Sequence, residues 1–254
     1  MMQDTRERWR ALVAVVFAVT AMALPGCGSQ DKAAAGATST DYVFVYLKTG
    51  PATDKTPEER QEIFRGHMSN MQRLADEGKL IVAGPFNKPN DATWRGIFIM
   101  DTPTVAQARE LVATDPGIKS GVFIMECRPF RASPALRKTL DLEKELKAKG
   151  TPQAKPGEPP PNIRGYVMVT SRDAHETARA IARSAFAGKV VWCGLMDPDK
   201  KTDQQTTAGV FVLDATDVGA VKPELPEDAL GGSIDGWWST TTLVQLPEAA
   251  RVLP

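Results

Sequence analysis

Gly78-Lys-Leu-Ile-Val-Ala-Gly84 returns further along the chain as Gly188-Lys-Val-Val-Trp-Cys-Gly194. The segments around it return as well. Tyr42-Val-Phe-Val-Tyr46 has its counterpart in Tyr166-Val-Met-Val169, and Gly96-Ile-Phe-Ile-Met-Asp101 in Gly209-Val-Phe-Val-Leu-Asp214. Each is a short apolar run rich in β-branched and aromatic residues, several of them bounded by glycine, which reads as a buried strand. A unit repeated in this way implies two copies that pack as an internal pseudo-dimer.

Between the strands of the first copy lie helix signals. Thr56 is the expected N-cap, Pro57 stands at the first helical position, and Glu59 completes a capping box. Ile63, Phe64, His67, Met71 and Leu74 recur at helical spacing, and Gly78 closes the helix. After the strand at Ile97–Met100, Thr102-Pro103 is expected to cap a second helix with Val105, Ala108 and Val112 on its inner stripe. Asp115-Pro116 stops it, because proline disfavours helical geometry in the residue before it. A fourth strand follows from Val122 to Cys127. The order βαββαβ defines the fold class as α+β, ferredoxin-like. One face of such a sheet stays bare unless a second copy covers it. The expectation is therefore two ferredoxin-like repeats packed as an intrachain, dimeric α+β-barrel-like pair.

Copy two is shorter. Asp173 and Glu176 form its capping box, and Ala178, Ile181, Ala182 and Ala185 its inner stripe. Its remaining strands are expected at Val190–Cys193, Val210–Leu213 and Trp237–Val244. Pro223 and Pro226 interrupt the second crossover. The expected organisation is a leader over 1–27, a tether over 28–40, repeat 1 over 41–133, a charged helix and proline-rich linker over 134–163, and repeat 2 over 164–247.

The chain of 254 residues carries 31 basic and 31 acidic side chains, a balance without the signature of a nucleic-acid binder. Its start is different in character. Arg6, Arg8 and Arg10 precede an apolar run from Ala11 to Leu24, too short to span a bilayer comfortably. The run ends at Leu24-Pro-Gly-Cys27, which resembles the lipobox of bacterial lipoproteins. That resemblance implies lipidation at Cys27, export, and anchoring to a membrane of the cell envelope, on the periplasmic side in a Gram-negative cell. Ordinary cleavage and an uncleaved anchor are the alternatives.

The first copy also resembles the YCII-related family. The resemblance rests on Tyr42-Val-Phe-Val, Gly66-His67, Gly78 to Pro85, Arg95-Gly-Ile-Phe-Ile, and Ala113-Thr-Asp-Pro116 followed by Gly121-Val-Phe. It implies a dimeric α+β barrel, and it places the family's helix histidine and pre-proline aspartate at His67 and Asp115. It also implies cofactor-free chemistry on a small cyclic or aromatic compound, such as isomerisation, elimination or lactone chemistry. Histidine titrates near neutrality, and a carboxylate on one ring nitrogen fixes the tautomer and raises the basicity of the other. Against this stand two structural readings: His67 as a satisfied core residue, and Asp115 as a helix N-cap.

Setting Gly78 on Gly188 places Thr177 opposite His67, and setting Asp101 on Asp214 places Asp228 opposite Asp115. Copy two is thus expected to keep the acid, lose the base, and serve repeat 1 as an intrachain partner. His175 reads as an exposed residue near a helix start. Trp94 and Arg95 are weaker candidates for contacting an anionic aromatic ligand at the first cleft, with a surface loop as the alternative. Cys127 and Cys193 are expected as buried thiols, a disulfide being the less common outcome. Two histidines and three scattered cysteines make no metal site. A small-molecule enzyme with one site at His67 and Asp115 competes with a non-catalytic envelope binding module that has kept the fold.

Overall fold

The computed structural model describes residues 39–87, 93–150, 159–198, 206–246 and 249. The leader, Cys27 and nearly all of the tether lie outside these residues. Strands β1 (Thr40–Thr49), β2 (Leu80–Pro85), β3 (Trp94–Met100) and β4 (Phe123–Ala132) belong to the first half. Strands β5 (Ile163–Ser171), β6 (Val190–Met196), β7 (Gly209–Leu213) and β8 (Ile234–Thr240) belong to the second. They form one eight-stranded sheet in the order β2-β3-β1-β4-β6-β7-β5-β8. Each half therefore has the antiparallel ferredoxin-like order, and the two halves run in the same sense around the sheet.

The halves join at two seams. At one, β4 pairs with β6 through Phe130↔Met196, Arg131↔Leu195 and Ala132↔Gly194. At the other, the outer strands β2 and β8 approach through a bridge between Phe86 and Trp237, and the Asn87 amide donates to the Gly236 carbonyl at 2.7 Å. The Trp237 Nε1–H donates to the Gly84 carbonyl at 3.0 Å, and the Ser239 hydroxyl to Ala83 at 2.8 Å. The sheet is thereby nearly closed into a barrel, and closure protects otherwise open strand edges.

The repeated glycine explains why the seams can form. A Cβ at Gly84 would collide with the Trp238 carbonyl, and one at Gly194 with the Phe130 ring. Gly84 and Gly194 hold the same place in the two copies, and each admits the last strand of the other copy.

Strand alternation separates an inside from an outside. Tyr42, Phe44 and Tyr46 join Phe130, Tyr166, Trp192 and Trp237 in the barrel core. Their neighbours Val43, Val45 and Leu47 pack instead with Leu74, Ala108 and Val112 from the helices of the first half. Val167 and Val169 do the same with Ile181, Val221 and Leu230 in the second half. Cys127 and Cys193 sit in these two different helix–sheet layers, both buried.

Helices cover the outer face of the sheet. α1 (Pro57–Asp76) opens with the full capping box at Thr56 and Glu59. α2 (Val105–Val112) is capped by Thr104 rather than Thr102; Thr102 is buried and its hydroxyl donates to the Thr104 carbonyl at 3.3 Å. A one-turn helix, α3 (Pro116–Lys119), follows. Between the halves a 3-10 turn at Pro134–Arg137 leads into α4 (Lys138–Ala148). The second half carries α5 (Ala174–Arg183), α6 (Val218–Val221) and α7 (Glu227–Leu230). Its last strand ends at Thr240 and passes into a 3-10 turn, short of the Val244 expected from sequence.

Candidate functional site

His67 occupies the inner face of α1, in the layer between that helix and the outer face of the sheet. Its ring stacks on Phe98 at 6.0 Å between centroids and meets Phe123 edge-on at 5.3 Å, with Phe64 at 5.8 Å. Its Nδ1 lies 2.7 Å from Asp115 Oδ2. Asp115 is 1% exposed, and its other oxygen, Oδ1, accepts the Gly117 amide at 2.7 Å. Asp115 is thus both the N-cap of α3 and the partner of His67, so the two readings of this residue hold together.

Two glycines make the juxtaposition possible. A Cβ at Gly66 would lie 2.8 Å from Pro116 Cγ, so only glycine lets the start of α3 rest on α1 beside His67. A Cβ at Gly117 would lie 2.5 Å from the Phe123 ring, which forms one wall of the histidine pocket. A polar triangle braces the same junction. Arg73 donates to Asn70 Oδ1 and to the Thr114 hydroxyl, each at 2.9 Å, and Thr114 donates to the Leu111 carbonyl at 2.6 Å.

The other ring nitrogen of His67, Nε2, has no hydrogen-bond partner among the described residues and is not sealed from solvent. With Nδ1–H donating to the carboxylate, Nε2 presents a lone pair. Such a pair can take a proton, and the adjacent carboxylate stabilises the imidazolium that results. Among the described residues no group of three or more His, Cys, Asp and Glu could hold a metal ion.

The second copy lacks the pair in another way than its sequence implies. Thr177, opposite His67, is buried and bonds its own helix at the Asp173 carbonyl, 2.8 Å away. Asp228 is not a counterpart of Asp115 in role. It is exposed within the first turn of α7, whose N-cap is Pro226, and it caps nothing. His175 is exposed at the second position of α5, where its amide is capped by Asp173.

Trp94 and Arg95 do not border His67. The β1–β3 register skips Arg95 between the pairs Leu47↔Gly96 and Lys48↔Trp94. That bulge turns Trp94 to the barrel side, where it packs on Tyr46 at 4.8 Å and Phe86 at 5.6 Å. Arg95 is exposed and donates to the Thr49 hydroxyl at 2.7 Å. A cavity of ≈ 350 Å³ does include Trp94, but it opens at the end of the barrel and touches neither His67 nor Asp115. Several partners were not legible from residue types alone. Phe98 and Phe123 read simply as strand core, and Gly117 as an ordinary turn residue. Only the Asp-Pro-Gly order at 115–117 signals a capped turn that needs close packing.

A nearly closed eight-stranded sheet built from two ferredoxin-like halves defines the dimeric α+β-barrel class. Residues 42–131 match the model of the YCII-related domain. Among solved structures, the chain is similar to 5-chloro-2-hydroxyhydroquinone dehydrochlorinase from Burkholderia phenoliruptrix AC1100 in complex with 2,5-dihydroxybenzoquinone. That likeness has 22% identity, covers 34% of this chain and 90% of that one, and has a TM-score of 0.26. It is also similar to a variant of the chlorite dismutase of Candidatus Nitrospira defluvii, at 12% identity over 83% of this chain and 94% of that one, with a TM-score of 0.46. No curated protein sequence matches the chain.

Proposed function

We propose that this protein is an exported, lipid-anchored enzyme that performs acid–base chemistry on a small cyclic or aromatic compound at His67. The observation that carries the reading is the 2.7 Å contact between His67 Nδ1 and Asp115 Oδ2, with Nε2 left uncommitted. His67 Nε2 removes a proton from the substrate. Asp115 holds the ring in that tautomer and offsets the charge it gains. Returning the proton to a different atom gives isomerisation, and losing a leaving group from the substrate anion gives elimination. Phe64 and Phe123, both partly exposed, flank the ring with aromatic surface, which suits a planar apolar substrate better than a sugar or a phosphate. No cofactor is assigned. Repeat 2 completes the barrel and carries no such pair. Cys27 holds the chain to an envelope membrane, so Cys27→Ala is expected to release it into the soluble fraction.

A second reading has its own support. Asp115 is sealed and caps α3, and neither member of the pair lines the barrel cavity. On that reading His67 is a clamp between α1 and α3, and the protein is a non-catalytic envelope module.

Turnover assays separate the two. The full chain, His67→Ala and Asp115→Asn are tested on halogenated hydroquinones and unsaturated lactones. The enzyme reading expects activity that falls about 100-fold or more in His67→Ala, the size of a general acid–base contribution. Activity that survives His67→Ala, or none on any compound, abandons it in favour of the clamp.

A further inference from the structure

The cavity at the barrel end is built by both halves of the chain. Tyr46, Trp94, Glu126 and Arg128 come from the first, and Thr170 to Arg172, Met196 and Ala208 to Val210 from the second. Tyr46 and Thr170 hold the same place in their repeats when Tyr42 is set on Tyr166. At that place the first copy contributes a large ring where the second has a threonine, and Trp94 adds a second ring on the side of the first copy. Space that a second tyrosine would fill is left open on the side of the second copy. Its ≈ 350 Å³ falls at the small end of ligand pockets and suits a single-ring compound.

The polar groups of the lining are almost all engaged. Glu126 pairs with Lys48 at 2.6 Å, and Arg128 binds Asp197 through both Nε and a terminal nitrogen. Asp235, whose charge is felt at Tyr46, is buried and has an interaction of its own. The Thr170 hydroxyl bonds Ser233. Burial raises the Tyr46 phenol well above its ordinary value, so it stays protonated. One group is left: the Arg172 guanidinium is exposed and has no side-chain partner among the described residues. A guanidinium fork complements a carboxylate. Trp94, half-buried, and Met196 offer apolar surface for a ring.

We infer that the barrel mouth is a second ligand site, separate from His67, that binds a small aromatic carboxylate. The ring lies against Trp94 and Met196, and the carboxylate is held by Arg172. This site requires both repeats, so the second copy contributes ligand contacts as well as a cover.

Isothermal titration of benzoate, 4-hydroxybenzoate and phenylacetate into the full chain tests the site. At least one acid is expected to bind saturably at one equivalent. Arg172→Gln should weaken that acid about tenfold or more, and its neutral amide should bind the wild type correspondingly weakly. His67→Ala should bind as the wild type does. Arg172 is exposed, so Arg172→Gln is expected to melt at the wild-type temperature, and a matching melt shows that lost affinity is local. The proposal is overturned if none of the acids saturates, if Arg172→Gln binds equally well, or if His67→Ala abolishes binding.

Discussion

Asp115 divides its two carboxylate oxygens between two elements. Oδ1 accepts the Gly117 amide at 2.7 Å and starts α3, and Oδ2 meets His67 Nδ1 at 2.7 Å on α1. Removing the side chain therefore undoes two interactions. Losing the cap costs about 1 kcal/mol. Leaving a buried ring nitrogen without its partner adds about 1–3 kcal/mol. Urea unfolding should show Asp115→Ala less stable by the sum, and Asp115→Asn, which retains a capping oxygen, less affected. If Asp115→Ala lost no more than a cap, the His67 bond would have no energetic weight.

Gly66 lets Pro116 approach α1 closely enough to bring Asp115 to His67. Leucine is a better helix former, by about 1 kcal/mol. Its side chain would nevertheless drive into Pro116, and overpacking of this kind costs about 1–3 kcal/mol. Gly66→Leu is expected to be less stable than the wild type, and the His67 ring resonances in NMR should move as α3 is displaced. An unchanged His67 environment would argue against the close packing.

The two seams make a paired prediction. A Cβ at Gly84 meets a backbone carbonyl of β8, and one at Gly194 meets the Phe130 ring on β4. Gly84→Val and Gly194→Val should each destabilise the fold by about 1–3 kcal/mol, or more where backbone must move. Each should do so in one cooperative transition, because both halves share the barrel core. Two separate transitions would mean that the halves fold independently.

Glu143 on α4 is pushed above the usual carboxylate range by burial, with Lys147 and a hydrogen bond from Thr240 opposing that shift. A raised folded value means that the proton is held more tightly when folded. The associated stability is fully present below the ordinary carboxyl range and is lost as pH rises through the raised value. Glu143→Gln removes this dependence. Its melting temperature should match the wild type near about pH 4 and exceed it near neutrality. A constant difference at both pH values would refute the burial effect.

Much of the architecture was legible in the residues. The capping box at Thr56 and Glu59, the closing Gly78 and the alternation of Tyr42 to Leu47 are local signals, and local geometry obeys them. The His67–Asp115 pair was legible as two positions, through the family pattern, and α1 and α3 bring those positions to bonding distance. The placement of Trp94 was not legible. A single skipped residue at Arg95 reverses which face of β3 a side chain takes, and the skip is set by pairing with β1. Asp228 likewise looked like an acid retained in the second copy, because an alignment counts residues and cannot see that Pro226 has become the cap.

By itself, then, the sequence determined the repeated units, their order of strands and helices, and the glycines that recur in both. These follow from periodicity and from backbone freedom, which are properties of neighbouring residues. Tertiary structure alone decided which groups meet across the molecule: Gly84 against Trp238, Asp115 against His67, and a barrel mouth where Tyr46 and Trp94 of one repeat face Thr170 of the other. Such contacts depend on the sum of many small twists and registers along the strands, and no short stretch of residues encodes that sum.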